Sequence, residues 1–321
     1  MFKNSKVNYL VTVLLGGLLV LGIYGQYTFS STVPRKIKIG TTYMTMNNSF
    51  YKIVNDEIEK VVDERGGTLY NRDPALSVDK QCEQIKSFIS KGVDTIIINP
   101  VDSGNQKINK SLKKAKQEGI KIVVVDSQLR DKRLSDTTII SDNYKAGVLD
   151  AKKMMRTVSK ADILLLEHKD TLSAVDRING FLDTISKNPH YHVVSRKESY
   201  GQTEIAMPIV EKVIDQGVHF DVIMALNDRS AIGALAAVKE KKLKNKIYIY
   251  GVDGSPDMKS LLYNTSDVQA TVAQSPISMG KIAVSTAYKL FKEEKTKRII
   301  TVPVTLIDKK NINQFDLSGW Q

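Results

Sequence analysis

The chain has 321 residues, of which 42% are hydrophobic, and it carries a net charge of +12. This length is enough for two α/β domains of ordinary size or for one large domain. The single cysteine, Cys82, excludes an intrachain disulfide framework and a zinc site built from cysteines. The lysines and arginines are scattered along predicted helix faces, so the positive charge does not indicate nucleic acid as a partner.

The first predicted element is an apolar segment, Tyr9–Gly25, in a stretch with no charged residue between Lys6 and Arg35. Its length lies at the lower edge of the roughly 17–25 residues that span a bilayer. No alanine precedes Ala75 to mark a cleavage site, and no cysteine follows the segment to mark a lipoprotein. We therefore expect residues 1–35 to form an uncleaved signal anchor and a polar spacer, Gln26–Val33. A cleaved signal peptide is the alternative.

From Lys36 onwards, strand-like apolar runs alternate with amphipathic helical patterns, which is typical of parallel sheets with helices on both faces. The helices between the strands end at glycines, and one of them places Cys82 on its apolar side, which predicts a buried cysteine. The predicted strands are Ile37–Thr42, a strand that begins at Thr68, Thr95–Ile98, Val123–Val125, Ile163–Leu166, His192–Ser195, Val222–Ala225 and Ile247–Tyr250.

Two distant predicted strands lead into an acidic residue within similar sequence frames, and these residues are Asp126 and Asp253. Ligands of open parallel sheets bind outside the carboxyl ends of the strands, so we expect one crevice between two similar halves. The side chains expected there combine amides, carboxylates, a guanidinium and aromatic rings. Such a set suits a sugar, whose hydroxyls donate and accept and whose C–H faces stack on rings. They are Asn47, Asn48, Phe50, Tyr51, Asp126, Arg177, Asn227, Asp253 and Gln274.

Seven short segments, in the same order along the chain, resemble the periplasmic sugar-binding proteins related to ribose-binding protein and to the sensor domain of lac-repressor-like regulators. The resemblance covers nearly all of residues 36–312. No single segment is specific, but their order makes the set informative. The segments are Thr45–Tyr51, Ile98–Asp102, Ser141–Asn143, Arg177–Phe181, Ala225–Asp228, Gly251–Asp257 and Ala273–Pro276.

The resemblance implies two Rossmann-like lobes with parallel sheets, joined by three crossovers and preceded here by the membrane helix. The first lobe would comprise residues 36–140 and 275–304, and the second residues 141–274 and 305–321. Position by position, the resemblance assigns ligand binding to Asn48, Phe50, Tyr51 and Asp126 in the first lobe and to Arg177, Tyr200, Asn227 and Asp253 in the second, with Gln274 at a crossover.

Two residues depart from the family pattern. Ser49 replaces a proline in the first ligand loop, and Ser127 stands where ribose binders carry an arginine beside the acidic residue. Losing that cation removes a bidentate donor and opens space, which favours another pentose such as xylose, a related sugar or a larger ligand over ribose.

Each of these residues also has a plainer interpretation. Asp126 and Asp253 can cap a helix or a turn, and Asn227 can simply start a helix. Phe50 and Tyr51 are adjacent, so we expect one of the two to pack in the core. Arg177 can pair with its neighbour Asp176 or with a surface carboxylate.

The sequence carries no catalytic signature: the four histidines form no metal-binding helix pair, and there is no nucleophile elbow or phosphate-binding glycine loop. We therefore expect a binding protein without enzymatic activity, cofactor or metal. Two roles remain, sugar sensing through a membrane histidine kinase and sugar delivery to an ABC permease. The predicted anchor favours sensing, because a spanning helix holds the protein beside one receptor at high effective concentration. The predicted location is the cell membrane, by a single pass, with the binding domain outside the cytoplasm.

Overall fold

The computed structural model describes residues 3–32 and 35–321. It divides into two compact units, Met1–Lys36 and Ile37–Gln321. In the first unit, helix α1 spans Lys3–Thr32. Its segment Tyr9–Gln26 is long and apolar enough to cross a membrane by length and composition. Helix α1 continues through the predicted polar spacer as far as Thr32, and no proline or glycine interrupts it between Gln26 and that residue; Val33 lies outside the described residues.

The second unit alternates strands and helices. Its strands are β1 (Lys38–Thr42), β2 (Thr68–Arg72), β3 (Thr95–Ile98), β4 (Lys121–Val125), β5 (Thr137–Ser141), β6 (Ala161–Glu167), β7 (Tyr191–Glu198), β8 (Val222–Ala225), β9 (Tyr248–Asp253), β10 (Val268–Ala273), β11 (Ile299–Val302) and β12 (Thr305–Asp308). Its helices are α2 (Ser49–Glu64), α3 (Val78–Ser90), α4 (Gln106–Gln117), α5 (Asn143–Thr157), α6 (Leu172–Ile185), α7 (Thr203–Asp215), α8 (Asp228–Glu240), α9 (Pro256–Asn264) and α10 (Pro276–Phe291).

The strands form two six-stranded sheets, and each sheet with the helices packed on it is called a lobe here. The first sheet has the order β11-β5-β4-β3-β1-β2, and all its pairs are parallel. The second has the order β12-β10-β9-β8-β6-β7, in which only β12 is antiparallel to its neighbour. The chain passes between the sheets three times, after β5, after β10 and between β11 and β12. This arrangement confirms the predicted fold class.

The eight predicted strands are all present, but β5, β10, β11 and β12 were not predicted. β11 and β12 have only four residues each and alternate buried with exposed positions imperfectly, so their local pattern is weak. The prediction that Cys82 is buried is also wrong in part. Cys82 packs against the core of the first lobe but is half-buried, because it borders the groove between α3 and α4.

In the second lobe, helices α5 and α6 touch through their backbones. A Cβ atom on Gly147 would lie 1.8 Å from the carbonyl oxygen of Arg177, and one on Gly180 would lie 2.0 Å from that of Tyr144. Only glycine permits this approach, because any side chain would push the helices apart. The close contact fixes α6, which carries Arg177, against α5.

Candidate functional site

A cavity of about 420 Å³, including its mouth, lies between the carboxyl ends of the two sheets. The nine residues to which ligand binding was assigned all line it, although they are spread over more than two hundred positions of the chain. They are Asn48, Phe50, Tyr51, Asp126, Arg177, Tyr200, Asn227, Asp253 and Gln274. Their contact with a ligand stays a prediction.

Asp126 follows β4 directly and is almost fully buried. Its Oδ2 accepts hydrogen bonds from the Tyr51 hydroxyl at 3.0 Å and from Asn99 Nδ2 at 3.1 Å. Burial raises the pKa of Asp126, while the Arg177 guanidinium and the two hydrogen bonds oppose that rise. The carboxylate is therefore fixed in direction by the first lobe before any ligand arrives.

Asp253 is the last residue of β9 and is equally buried. Its Oδ1 accepts a hydrogen bond of 2.7 Å from Gln274 Nε2, whose residue begins the crossover after β10. Burial raises the pKa of Asp253 to about 8, and the nearby carboxyls of Asp228 and Asp126 add to the rise while Arg177 opposes it. Asp253 is thus mainly protonated at neutral pH, and a carboxylic acid can both donate to and accept from a hydroxyl.

Arg177 projects from the second turn of α6 to a position between the two acids. Its NH2 lies 3.7 Å from Asp126 Oδ1, and its NH1 lies 3.7 Å from Asp253 Oδ1. Asn143 Oδ1 accepts from its Nε at 2.8 Å, and the Leu226 carbonyl accepts from its NH1 at 3.0 Å. The alternative pairing with Asp176 is wrong, since the Asp176 carboxylate accepts from Gln128 of the first lobe.

Aromatic rings form the apolar part of the cavity wall. The Phe50 and Tyr51 rings meet edge to face at 5.5 Å, and both line the cavity while also belonging to the core of the first lobe. One of the two was expected to pack in the core, and the structure shows that both do so while both also line the cavity. From the second lobe, Tyr200 contributes a ring that packs edge to face on His168 at 5.3 Å.

Asn48 and Asn227 also cap helices, which is the plainer role expected for Asn227. Asn48 is the N-cap of α2 and accepts from the backbone N–H of Phe50, and Asn227 is the N-cap of α8 and accepts from that of Ser230. In neither case does capping exclude a ligand, because both side chains also border the cavity. Asn47 does not line the cavity; its Nδ2 donates to Glu204 of the second lobe.

Three residues of the predicted set have left-handed or otherwise strained backbone angles. Asp126 has φ 64°, Tyr200 has φ 52° and Asp253 has φ 141°. Such conformations cost of order 1–3 kcal/mol each in residues other than glycine, and they concentrate at functional sites. Here they turn the chain at the ends of strands so that the side chains enter the cavity.

Sequence reasoning missed several cavity residues, namely Met44, His168, Thr171, Ser173, Gly201, Gln202 and Leu226. His168 was considered only as a metal ligand, yet it follows β6 directly, which is the same signal that marked Asp126. Burial lowers the pKa of His168, so its imidazole is neutral near pH 7. Asn99 was noted only as part of a motif, and its role in orienting Asp126 depends on a contact between neighbouring strands.

The known proteins that this chain resembles are binding proteins. A family model described as a periplasmic binding protein domain matches residues 39–295. The ribose import binding protein of Bacillus subtilis is 27% identical over 278 residues, covering 86% of this chain and 88% of that protein. The arabinose ABC transporter binding protein of Shewanella sp. ANA-3, solved with L-arabinofuranose, has a TM-score of 0.79 at 26% identity, covering 86% of this chain and 93% of that one.

A solute-binding protein of Mycobacterium smegmatis, solved with glycerol, has a TM-score of 0.83 at 23% identity and covers 89% of this chain and 100% of that one, which supports the fold alone. Proteins of this family bind solutes and are not enzymes, and their binding domain lies outside the cytoplasm. The two lobes, the cavity between their sheet ends and the family match agree, and the chain belongs to the type I periplasmic sugar-binding protein family, as the resemblance predicted.

Proposed function

We propose that the cavity binds an uncharged monosaccharide or a similar polyol. The observation that carries the proposal is the position of Arg177 between two buried acids. Its guanidinium lies 3.7 Å from both Asp126 and Asp253, and the raised pKa of Asp253 leaves that group mainly neutral. One carboxylate and one guanidinium then cancel, so the site offers many hydrogen bonds but little net charge. That suits hydroxyl groups better than an anion or a cation.

The remaining groups fit the same ligand class. Gln274 Oε1 is buried at the cavity wall without a hydrogen-bond partner in the described part of the chain. A buried acceptor of this kind costs free energy unless a donor reaches it, and a sugar hydroxyl is such a donor. The rings of Phe50, Tyr51 and Tyr200 offer faces and edges to the C–H groups of a sugar.

The relatives support a small sugar without naming it. The printed names describe ribose import for the Bacillus protein and bound L-arabinofuranose for the Shewanella structure. Among the residues that the structure describes, Arg177 is the one lysine or arginine at the cavity wall. Serine at position 127 in place of an arginine favours another pentose, such as xylose, or a related sugar over ribose.

The experiment is calorimetry on purified protein with a panel of pentoses, hexoses and inositols, to which an amino sugar and a sugar phosphate are added. At least one neutral sugar is expected to bind, and Asp253→Ala is expected to abolish that binding while circular dichroism stays native. The matched control is Asp215→Ala, which removes an exposed carboxylate paired with Lys241 in the same lobe. Binding of only the charged members, or wild-type affinity in Asp253→Ala, would contradict the proposal.

We further propose that α1 remains as a membrane anchor and that closed lobes signal sugar to a sensor histidine kinase. Support comes from the membrane-length segment Tyr9–Gln26 and from the high effective concentration that an anchor gives. Sugar would favour the closed arrangement, whose surface binds or activates the kinase. Delivery to an ABC permease is the second candidate, favoured by the transporter relatives.

Two measurements separate these roles. Mass spectrometry of the protein extracted from membranes tests whether residues 1–35 are retained, and the intact mass is expected. Cross-linking in cells with and without sugar, followed by detergent purification, then identifies the partner. A sugar-dependent link to a histidine kinase is expected; a permease without a kinase would overturn sensing and leave sugar binding intact.

A further inference from the structure

Helix α6 of the second lobe begins in an unusual way. Its N-cap residue, Thr171, makes no side-chain capping bond. An α-helix leaves its first N–H groups without partners inside the helix, and they need acceptors from elsewhere. By contrast, α5 is capped by its own N-cap residue, Asp142, which accepts from the N–H of Lys145. The acceptors for the first N–H groups of α6 are therefore either water or groups from another part of the molecule.

They come from the first lobe. The N–H of Leu172 donates to Ser103 Oγ at 3.1 Å, and the N–H of Ser173 donates to Ser127 Oγ at 3.1 Å. Ser103 follows β3 and Ser127 follows β4, so both lie at the carboxyl edge of the first sheet. The helix of one lobe thus receives its cap from the other lobe.

The contact is buried and continuous. Both serines have no exposed surface, and their hydroxyl oxygens lie 3.3 Å apart. The backbone N–H of Ser103 also donates to the carbonyl of Asp170 at 2.8 Å, in the loop just before α6. Three hydrogen bonds therefore join this loop and helix start to the first lobe beside the cavity.

We propose that Ser103 and Ser127 are positioning residues that cap α6 only when the lobes are closed, and that they thereby hold Arg177 in place for the ligand. Arg177 lies one turn and a half further along α6, and the glycine contact with α5 makes this helix move as a rigid piece with its lobe. When the lobes separate, water replaces the serines at the helix start. In the closed state, each serine therefore contributes about the net free energy of one hydrogen bond. This inference depends on the proposed sugar binding for its link to affinity.

The proposal predicts a loss of affinity without a loss of fold. Ser103→Ala and Ser127→Ala are each expected to weaken sugar binding about fivefold, since ligand affinity falls with the population of the closed state. Ser127→Thr keeps the hydroxyl and is expected to recover most of the affinity. The control is Ser111→Ala, whose hydroxyl donates to the Lys107 carbonyl within helix α4, away from the cavity. Calorimetry measures the affinities, and thermal unfolding without sugar checks that the variants fold equally well.

Hydrogen exchange measured by NMR provides a readout that a purely structural role would not give. The amides of Leu172 and Ser173 are expected to gain protection when sugar is added, and to lose that gain in the two alanine variants. The cap would be overturned if both alanine variants kept wild-type affinity and wild-type protection. It would also be overturned if the variants, measured without sugar, lost as much free energy of unfolding as they lose in binding free energy. If no sugar binds the wild-type protein, the proposed function fails. The link of the two serines to affinity fails with it, whereas sugar that binds the wild-type protein without added protection of these two amides would refute the cap alone.

Discussion

In the first lobe, the cavity carboxylate of Asp126 accepts hydrogen bonds from two neutral donors. In the second lobe, the Asp253 carboxyl lies near a second buried acid, Asp228. Tyr51 and Asn99 both donate to Asp126. Asp253 receives one donor, Gln274, and the carboxyl of Asp228 raises its pKa further. Two lobes with the same strand order therefore differ in electrostatics. The first supplies an oriented charge, and the second supplies a group whose charge depends on pH.

The second lobe also contains buried acidic residues that do not line the cavity. Asp228 accepts from the Thr271 hydroxyl and from the N–H of Ser255, and burial raises its pKa to about 6. Asp150 on α5 is fully buried, and neither of its oxygens has a partner in the described part of the chain. Burial and the nearby Asp228 raise the pKa of Asp150 well above its usual value. This lobe is thus the one in which protonation and folding are most closely linked.

The largest expected effect comes from removing the cation that both lobes share. In the described part of the chain, Arg177 is the only arginine or lysine that lines the cavity. Arg177→Met would leave Asp126 without its ionic partner, so sugar binding is expected to weaken more than a hundredfold. Breaking a buried ion pair commonly costs about 3–5 kcal/mol of stability. Calorimetry and urea unfolding measure the two losses. Arg133→Met, which removes an exposed pair with Asp131, is the control and should change neither; a similar loss there would contradict the role given to Arg177.

A smaller effect is expected from neutralising each carboxyl in turn. Because burial raises the pKa of Asp253 from 3.8 to about 8, the folded protein binds more protons than the unfolded chain between these values. Its contribution to stability is therefore full below pH 4 and declines as the pH rises towards 8. Asp253→Asn cannot ionise, so its free energy of unfolding relative to wild type should rise with pH across this window.

Asp126→Asn is the matched variant in the first lobe, and it should destabilise the protein at pH 7, because it removes the ionised partner of Arg177. Urea unfolding of wild type and both variants from pH 4 to pH 8 measures the comparison. The curves of unfolding free energy against pH for wild type and Asp253→Asn are not expected to be parallel. Parallel curves, or equal losses of unfolding free energy at pH 7 in the two variants, would contradict the electrostatic difference between the lobes.

The smallest expected effect concerns a segment that joins the lobes away from the acids. Lys259 of the second lobe donates to the carbonyls of Asp316 and Gly319, and the Trp320 ring packs edge to face on Phe50 of the first lobe at 5.8 Å. Aromatic pairs contribute about 0.5–1.5 kcal/mol beyond the area they bury, so Trp320→Ala should weaken sugar binding about fivefold. Calorimetry checks this. Tyr263→Ala, an exposed aromatic residue of the second lobe, is the control. Equal affinities in both variants would show that Trp320 does not assist closure.

The sequence was sufficient to predict the alternation of strands and helices, and the resemblance to a known family supplied the nine residues that line the cavity. Strand and helix periodicities are local, and residues that follow buried parallel strands all lie at one edge of a sheet. Asp126 and Asp253 could be found in this way because each ends a strand. The strands β11 and β12 could not, since each has four residues with a weak local pattern. β5 and β10 are mostly buried and contain β-branched residues, so their local pattern could have marked them.

Only the tertiary structure determined which residues contact one another. The position of Arg177 between two acids, the orientation of Asp126 by Asn99 and the capping of α6 by Ser103 and Ser127 all join residues far apart in the chain. Hydrogen bonds and pKa shifts depend on distance and burial, which no local pattern specifies. Asp126 and Asp253 look alike in the sequence, and only their surroundings make one an oriented carboxylate and the other a largely protonated acid at neutral pH.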